Sequence, residues 1–368
     1  MERFGFVGLP NAGKSSLFNA LAGGGALAAP YAFATTDPNI GVARVPDARL
    51  DALAEMSASR KVVHSTTEFI DIGGLVEGAS KGEGLGNRFL AGIREADAIV
   101  FVLRAFTDPD VPGPADPIEH LRIVETELTL ADLESVESRI VRRRKAARSQ
   151  PSDTALVDEA AALEAALEHL EAGTPLYRAW PHATCTESGG DAHRDALRSH
   201  FLLTDKPVMA VLNIGDDQLD DAEQLAEPIV AELPGAHVLP LCVQLEAEAA
   251  QLTGAERAEL LEGLGLGQGA LERFVSAAHG MLGLRTFLTT GEKESRAWTF
   301  GQGWRAPQCA GRIHTDFERG FIRAEVIEWT ELLKLGSWSA ARDVGRLRVE
   351  GKDYRMRDGD VVEFRFNV

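Results

Sequence analysis

The sequence predicts an α/β protein in three parts: a mostly parallel sheet covered by helices, a helical hairpin inserted into that sheet, and a small α+β domain at the C-terminal end. Three observations support this. Short apolar segments alternate with helical stretches. Two long charged helices interrupt that alternation, and short strand-like segments separated by turns follow it. The expected domains are residues 1–117 with 201–282, residues 118–200, and residues 283–368.

The predicted strands of the sheet are short and apolar, as is typical of strands buried on both faces. Helical stretches separate them, which favours parallel pairing. Ligands of such sheets bind at the carboxyl ends of the strands, so polar residues that follow a strand are candidates for a site. The strands lie near residues 3–8, 67–71, 98–103, 207–212 and 237–241.

The inserted hairpin consists of two predicted helices, at about residues 118–149 and 154–171. Apolar residues recur in both at three- and four-residue spacing, and Pro-Ser-Asp at residues 151–153 supplies a break and a helix N-cap. A basic run, residues 142–145, lies near the hairpin tip. Such a run usually forms a solvated helix face, and contact with RNA is the functional alternative.

The last third of the chain changes in character after Gly283. Its strand-like segments are broken by turns, one of which is Asp358-Gly359-Asp360. A small mixed α+β domain is therefore expected. The segments are residues 296–300, 320–327, 346–350 and 361–368.

Bulk composition narrows the class of protein. Apolar residues make up 45% of the 368, and no apolar run reaches the length of a membrane span. The cysteines, Cys185, Cys242 and Cys309, have the spacing of neither a disulfide framework nor a metal site. No charged-then-apolar leader precedes the first strand, so we expect a cytoplasmic protein without a membrane partner.

The formal charge of −18 is unevenly distributed. Residues 283–368 contain 15 Lys+Arg and 13 Asp+Glu, a net charge of +2, whereas the rest of the chain carries −20. The acidic balance argues against electrostatic binding of nucleic acid over the whole surface. If RNA is a partner, the C-terminal domain and the basic run of the hairpin are the expected contact surfaces.

A phosphate-binding loop follows the first strand. Residues 8–15, GLPNAGKS, match the pattern G-x-x-x-x-G-K-[ST] between an apolar strand and a helix. The glycines let main-chain N–H groups surround a phosphate, Lys14 supplies a positive charge, and Ser15 supplies a hydroxyl ligand for Mg²⁺. The predicted phosphate-binding set is Asn11, Ala12, Gly13, Lys14, Ser15 and Ser16.

A second element completes the predicted site. Asp71 ends a buried strand and is followed by Gly73-Gly74, the order in which nucleotide switches place a carboxylate near Mg²⁺ and a glycine N–H near the γ-phosphate. Thr35 or Thr36, after the first helix, would add a second hydroxyl ligand. The predicted metal set is Ser15, Asp71 and one of these two threonines, and the predicted catalytic set is Lys14, Asn11 and Gly74.

Leu75 has no group that could orient an attacking water. Hydrolysis is therefore expected to be slow and stimulated by a partner, or assisted by another group. Asn11 is the candidate for that group, because its amide oxygen could hold a monovalent cation such as K⁺ beside the phosphates. The alternative is that Asn11 only shapes the turn.

These segments resemble the Obg-like ATPase (YchF) family of P-loop NTPases over essentially the whole chain. The resemblance is carried by GLPNAGKSSLFNAL (8–21), YAFATTDPNIG (31–41), DIGGLVEGASKGEGLGN (71–87) and HTDFERGFIRAEV (314–326). It implies a nucleotide-binding G domain, an inserted coiled-coil hairpin and a C-terminal TGS domain of the β-grasp type. It also implies Thr35 as the magnesium threonine, leucine as the normal residue at position 75, and association with ribosomes or ribosomal subunits.

The base preference depends on Asn213-Ile214-Gly215-Asp216, at the end of another predicted strand. A turn is the common interpretation of such a sequence. Guanine-specific relatives carry Asn-Lys-x-Asp, and the Obg-like family carries Asn-x-x-Glu. Ile214 in place of lysine favours ATP, whereas Asp216 keeps GTP as an alternative. Asn213, Ile214 and Asp216 are the predicted base-binding residues, and the family resemblance favours ATP.

The expected function is a ribosome-associated, Mg²⁺-dependent ATPase switch that regulates translation or a stress response. Two alternatives remain. One is a GTPase of the same architecture, and the other is a binding module whose nucleotide controls a protein partner with negligible turnover.

Overall fold

The computed structural model describes residues 2–23, 40–72, 85–180, 192–252, 254–263 and 269–367. The strands are β1 (Arg3–Val7), β2 (Ile40–Arg44), β3 (Val62–Val63), β4 (Thr66–Asp71), β5 (Ala98–Arg104), β6 (Val208–Asn213), β7 (Val238–Leu241), β8 (Leu284–Thr289), β9 (Ser295–Gly301), β10 (Phe321–Glu328), β11 (Arg348–Glu350) and β12 (Asp360–Phe366). The helices are α1 (Lys14–Gly23), α2 (Ala48–Met56), α3 (Leu85–Glu95), α4 (Pro117–Ser149), α5 (Thr154–Glu171), α6 (Leu176–Ala179), α7 (Ala192–Leu197), α8 (Ala222–Glu232), α9 (Val243–Ala249), α10 (Gly254–Gly263), α11 (Ala270–Met281), α12 (Ala306–Ile313), α13 (Thr315–Arg319), α14 (Trp329–Leu335) and α15 (Trp338–Asp343).

The first sheet confirms the predicted α/β class. Its strand order is β2-β4-β1-β5-β6-β7. β1 pairs in parallel with β4 and β5, β5 pairs in parallel with β6, and β6 pairs in parallel with β7. Every residue of β5 is buried, as expected for a central strand covered on both faces. The ends of β5, β6 and β7 lie side by side, since Arg104 is in register with Asn213 and Asn213 with Leu241.

The predicted helical hairpin is also confirmed. α4 begins after Asp116, whose side chain accepts a hydrogen bond from the Glu119 N–H at 3.0 Å. α5 begins after Asp153, which caps the Leu156 N–H at 3.3 Å. Such caps satisfy N–H groups that have no partner inside the helix. The two helices share an apolar core of buried residues that includes Val136, Ile140, Leu163, Ala166 and Leu170.

Asp132 connects the hairpin to the chain that returns to the first sheet. Its fully buried carboxylate accepts hydrogen bonds from the Leu203 N–H at 2.9 Å, the Thr204 N–H at 2.7 Å and the Thr204 hydroxyl at 2.7 Å. Burial raises the pKa of Asp132, and these donors oppose the rise by stabilising the charged form. The middle of α4 is therefore fixed to the segment that leads into β6.

The chain forms two compact units that differ from the predicted domains. The first contains residues 1–43 and 67–274 and therefore includes the hairpin. The second contains residues 44–66 together with residues 275–368. The prediction placed residues 44–66 in the nucleotide domain, but this segment, which we call the crossing segment, packs with the C-terminal residues.

Apolar packing and strand pairing explain this placement of the crossing segment. Leu50 and Leu53 of α2 are fully buried in one core with Leu288, Ile327 and Val361. β3 adds a short parallel strand beside β9. Hydroxyl groups also join the segment to the loop before β9 and to the first residue of that strand. The Thr290 hydroxyl lies 2.8 Å from that of Ser57, and the Ser295 hydroxyl lies 2.7 Å from that of Ser59.

The sheet of the second unit is mixed, as predicted for an α+β domain. Its strand order is β11-β10-β12-β8-β9-β3. β10 pairs antiparallel with β11 and β12, β8 pairs antiparallel with β9, and β12 pairs in parallel with β8. Within the described residues, no helix combines the length and the apolar composition that a membrane span needs.

Candidate nucleotide site

A cavity of about 690 Å³ opens at the carboxyl edge of the first sheet. Its floor is the loop after β1, and its walls are the loop after β5, the turn after β6 and helix α9 after β7. This is where parallel sheets bind ligands. Of the residues predicted from the sequence, Asn11, Gly13, Lys14, Ser15, Ser16, Asn213, Ile214 and Asp216 line the cavity.

The backbone of the loop has the geometry that the motif predicts. Gly13 has φ +97°, and a Cβ at this position would overlap the amide nitrogen of Asn213. Gly8 lies against the carbonyl oxygen of Val102, where a Cβ would also overlap. Asn11 has φ 63°, a left-handed conformation that asparagine tolerates better than most residues. Glycine is therefore required at positions 8 and 13 for physical reasons.

Lys14 lies at the floor of the cavity and is 6% exposed. Its ammonium group donates a hydrogen bond to the carbonyl oxygen of Leu9 at 2.8 Å, across the loop. Burial lowers the pKa of Lys14, and the nearby charge of Asp71 partly opposes that change. A buried ammonium group held by a neutral carbonyl gains from an anion placed beside it.

Ser15 and Asp71 meet beside this lysine. The Ser15 hydroxyl donates to Asp71 Oδ2 at 2.6 Å, and Asp71 Oδ1 is buried with no hydrogen-bond partner among the described residues. A hydroxyl and a carboxylate with an unused oxygen are suitable ligands for a hard cation such as Mg²⁺. The other predicted residues of this region, Thr35 and Gly74, lie outside the described residues.

Asn213 braces the site from behind. It is 5% exposed, and its amide nitrogen donates to the Ala12 carbonyl at 3.1 Å while its amide oxygen accepts from the Val243 N–H at 3.2 Å. Its own carbonyl oxygen accepts from the Phe106 N–H at 3.1 Å. The sequence predicts that Asn213 contacts the base. In the structure its side-chain amide joins two loops of the site, and its main-chain carbonyl contacts a third.

The two other predicted base residues differ in exposure. Ile214 is 2% exposed and contributes to the core, although it also lines the cavity. Asp216 is exposed in a short 3-10 turn, and its Oδ1 accepts a hydrogen bond from the Asp217 N–H at 3.0 Å. Its carboxylate therefore remains accessible at the cavity wall.

Two parts of the cavity wall carry no motif in the sequence: residues 106–111 and the start of α9. For residues 106–111 the sequence does contain one indication, since Arg104 places a charge at the end of an otherwise apolar strand. At α9, Cys242 is buried beside Val243 and Asp216, and burial raises the pKa of its thiol. A neutral thiol at this position is consistent with an apolar wall.

Comparisons with known proteins agree with this geometry. A family model described as a 50S ribosome-binding GTPase matches residues 3–147, and a model of a YchF GTPase C-terminal family, described as a protein of unknown function, matches residues 284–367. The ribosome-binding ATPase YchF of Bacillus subtilis (strain 168) is 44% identical over 373 residues, with 99% of each chain covered. That of Escherichia coli O157:H7 is 43% identical over 370 residues, again with 99% of each chain covered. The solved structure of the Schizosaccharomyces pombe YchF GTPase is similar with a TM-score of 0.85 at 32% identity, covering 99% of this chain and 97% of that chain.

Proposed function

The chain belongs to the YchF family, and from that premise we propose that it is a ribosome-associated switch that binds ATP and hydrolyses it slowly to ADP and phosphate. The observation that carries the proposal is the buried Lys14 next to Ser15 at the floor of the cavity, with the Ser15 hydroxyl bonded to Asp71. Relatives that are similar over their whole length are named ribosome-binding ATPases.

The phosphates bind to the loop of residues 8–15. Main-chain N–H groups at the start of α1 point toward the ligand, and Lys14 exchanges the Leu9 carbonyl for phosphate oxygens. Gly74 would offer an N–H group to the γ-phosphate. Leu75 cannot orient the attacking water, so slow hydrolysis that a partner accelerates is the expected behaviour.

Mg²⁺ would be held by Ser15, Asp71 and Thr35, which supply oxygen ligands. When bound, Mg²⁺ would neutralise the negative charge that develops on the phosphate during hydrolysis. The unused Oδ1 of Asp71 supports this assignment. K⁺ would be held beside the phosphates by the Asn11 amide oxygen, which lines the cavity in a left-handed turn.

Asp71→Asn tests the assignment of Mg²⁺. The substitution keeps the shape of the side chain and removes its charge, so affinity for ATP in Mg²⁺ is expected to fall about tenfold while affinity in excess EDTA stays within about twofold. Titration calorimetry under both conditions measures this. Asp97→Asn, an exposed aspartate on the same sheet domain, is the matched control. An equal loss with and without Mg²⁺ would contradict the assignment.

Phosphate release over many turnovers tests the hydrolase activity itself. It should be measured with ATP and with GTP, with and without K⁺, and with and without ribosomes. ATP hydrolysis that ribosomes accelerate is the expected result. Release of no phosphate under any condition would favour the alternative of a nucleotide-gated binding module, for which the absence of a water-orienting group at Leu75 is the supporting feature.

The base preference is proposed to be ATP, with GTP as the alternative that Asp216 keeps open. A carboxylate facing the base would accept hydrogen bonds from guanine N1–H and N2–H₂, whereas adenine presents an acceptor at N1. Ile214 and Phe106 offer apolar surface for either purine. Competition between ATP and GTP for the unchanged protein decides between them.

Asp216→Glu is expected to shift the preference toward ATP by about fivefold. Asp216 is exposed, so the longer side chain can turn away from the base without disturbing the core. The shift is measured as the ratio of the two dissociation constants, with exposed Asp220→Glu as the control. If neither affinity changes, Asp216 does not face the base.

The ribosome is the proposed partner, and the cytoplasm is the proposed location. Residues 284–367 fold as a mixed sheet with helices, which supports their assignment as a TGS domain. An RNA contact is proposed for this domain because residues 283–368 carry a net charge of +2, whereas the rest of the chain carries −20. In the basic run of α4, Arg143 and Arg144 are paired with Glu159 at 3.1 Å and Glu164 at 2.7 Å. Arg142 and Lys145 are exposed and would make any RNA contact of the hairpin.

A further inference from the structure

The loop between β5 and α4 forms one wall of the cavity. Five of its residues, Phe106, Thr107, Asp108, Pro109 and Val111, line the cavity together with the phosphate-binding loop. If the phosphates bind at residues 11–16 as proposed, this wall is the part of the cavity left for the sugar and the base. The loop contains no helix or strand, and its shape must therefore be fixed by other contacts.

Arg104, the last residue of β5, makes such contacts. It is 3% exposed, and its three nitrogens donate to carbonyl oxygens of the same loop: Nε to Phe106 at 3.1 Å, one terminal nitrogen to Pro112 at 3.1 Å and the other to Val111 at 3.2 Å. Its guanidinium carbon also lies 4.7 Å from the centre of the Phe106 ring. One side chain therefore holds both the beginning and the end of the wall.

The chemistry of this arrangement is specific to arginine. A guanidinium presents several N–H donors in a rigid plane, so it can bond three separated carbonyls at once, which an ammonium group on a flexible stem does less well. The carbonyl dipoles and the Phe106 ring compensate the cost of burying the charge. The bonds end on main-chain oxygens, so they fix the course of the loop without using the polar side chains of the wall.

The wall is joined to the phosphate-binding loop through Asn213. The carbonyl oxygen of Asn213 accepts hydrogen bonds from the Ala105 and Phe106 N–H groups at 2.9 and 3.1 Å, and the Asn213 side chain binds Ala12. Arg104 is in register with Asn213 across β5 and β6. Asn213 thus fixes the start of the wall at residues 105 and 106, and Arg104 fixes its end at residues 111 and 112.

We propose that Arg104 is a positioning residue for the nucleoside half of the site: it holds the loop of residues 105–112 in place as the wall against the base and sugar. The inference rests on the proposed function, because it presumes a nucleotide in the cavity. It implies that replacing Arg104 lowers the affinity for ligands that carry a nucleoside and does not change the affinity for ligands that consist of phosphate alone.

The test compares ATP with inorganic tripolyphosphate, which offers the same phosphates and no base. In Arg104→Gln, the affinity for ATP is expected to fall about tenfold or more, while the affinity for tripolyphosphate stays within about twofold. Arg104→Lys keeps the charge but not the planar set of donors. Its affinity for ATP is expected to lie between that of the unchanged protein and that of Arg104→Gln. Arg122→Gln, an exposed arginine on α4, is the matched control and should change neither affinity.

Each outcome decides the inference. Equal losses for ATP and tripolyphosphate, or no loss for ATP, would overturn it. If both Arg104 variants fail to fold, Phe106→Leu removes the ring from the wall and must show the same selective loss for ATP; an unchanged affinity would overturn the inference. Failure of the unchanged protein to bind either ligand would overturn the proposed function and this inference with it. If the unchanged protein binds both ligands and the Arg104 variants lose no affinity for ATP, only the inference about Arg104 is overturned.

Discussion

Lys14→Met is expected to lower the affinity for ATP by about two orders of magnitude or more, the largest effect that we expect from one substitution. The methionine keeps the length of the side chain and removes the charge. Lys14 is the buried cation at the cavity floor, and hydrogen bonds from a cation to phosphate are about twice as strong as neutral ones. Titration calorimetry with ATP at fixed ionic strength measures the loss. Exposed Lys145→Met on the hairpin is the control.

The same variant predicts a change in how stability depends on pH. Burial lowers the pKa of Lys14, so the unfolded chain binds more protons than the folded chain at alkaline pH below the ordinary lysine value of 10.5. The ligand-free protein should therefore gain stability as pH rises through that window, and Lys14→Met should lack this gain. Urea denaturation at several pH values measures it. Binding of ATP as tight as that of the unchanged protein would refute the phosphate-binding role.

Asn213→Ala is expected to lower the affinity for ATP by about 10- to 100-fold and to lower the melting temperature as well. Alanine leaves the Ala12 carbonyl and the Val243 N–H buried without partners, and each such group costs about 1–3 kcal/mol. The phosphate-binding loop and the start of α9 would lose their common support. Calorimetry and thermal denaturation of the same samples measure both effects.

Asn213→Asp provides a sharper control for this role. Aspartate can still accept from the Val243 N–H, but it turns a carboxylate oxygen toward the Ala12 carbonyl, where both atoms are acceptors. It should therefore be no better than alanine. If Asn213 acted only by contact with the base, tripolyphosphate would bind Asn213→Ala normally, and that result would contradict the bracing role.

Much of the fold and the floor of the site could be predicted because their signals are local. The strand, glycines and lysine of the phosphate-binding loop lie within one short stretch, residues 3–15, and the second helix of the hairpin carries its cap at residue 153. The bracing role of Asn213 could not be predicted, since its partner Ala12 is 201 residues away. The wall at residues 106–111 also has no periodic pattern, because its shape comes from the hydrogen bonds of Arg104.

The domain boundary shows a second limit of sequence reasoning. Residues 44–66 lie between two strands of the first sheet, so their position along the chain assigned them to that sheet domain. Their strand β3 is only two residues long and gives no detectable alternation. What places them is the packing of Leu50 and Leu53 against residues more than two hundred positions later.

This crossing segment means that the two units cannot be separated by a single cut. A polypeptide that stopped at residue 282 would keep α2 but lose Leu288, Ile327 and Val361, and it would present Leu50 and Leu53 to water. A fragment beginning at residue 283 would in turn lack one edge strand and part of its own core. An exchange of the C-terminal unit for that of a relative would therefore have to carry residues 44–66 with it to keep this core matched.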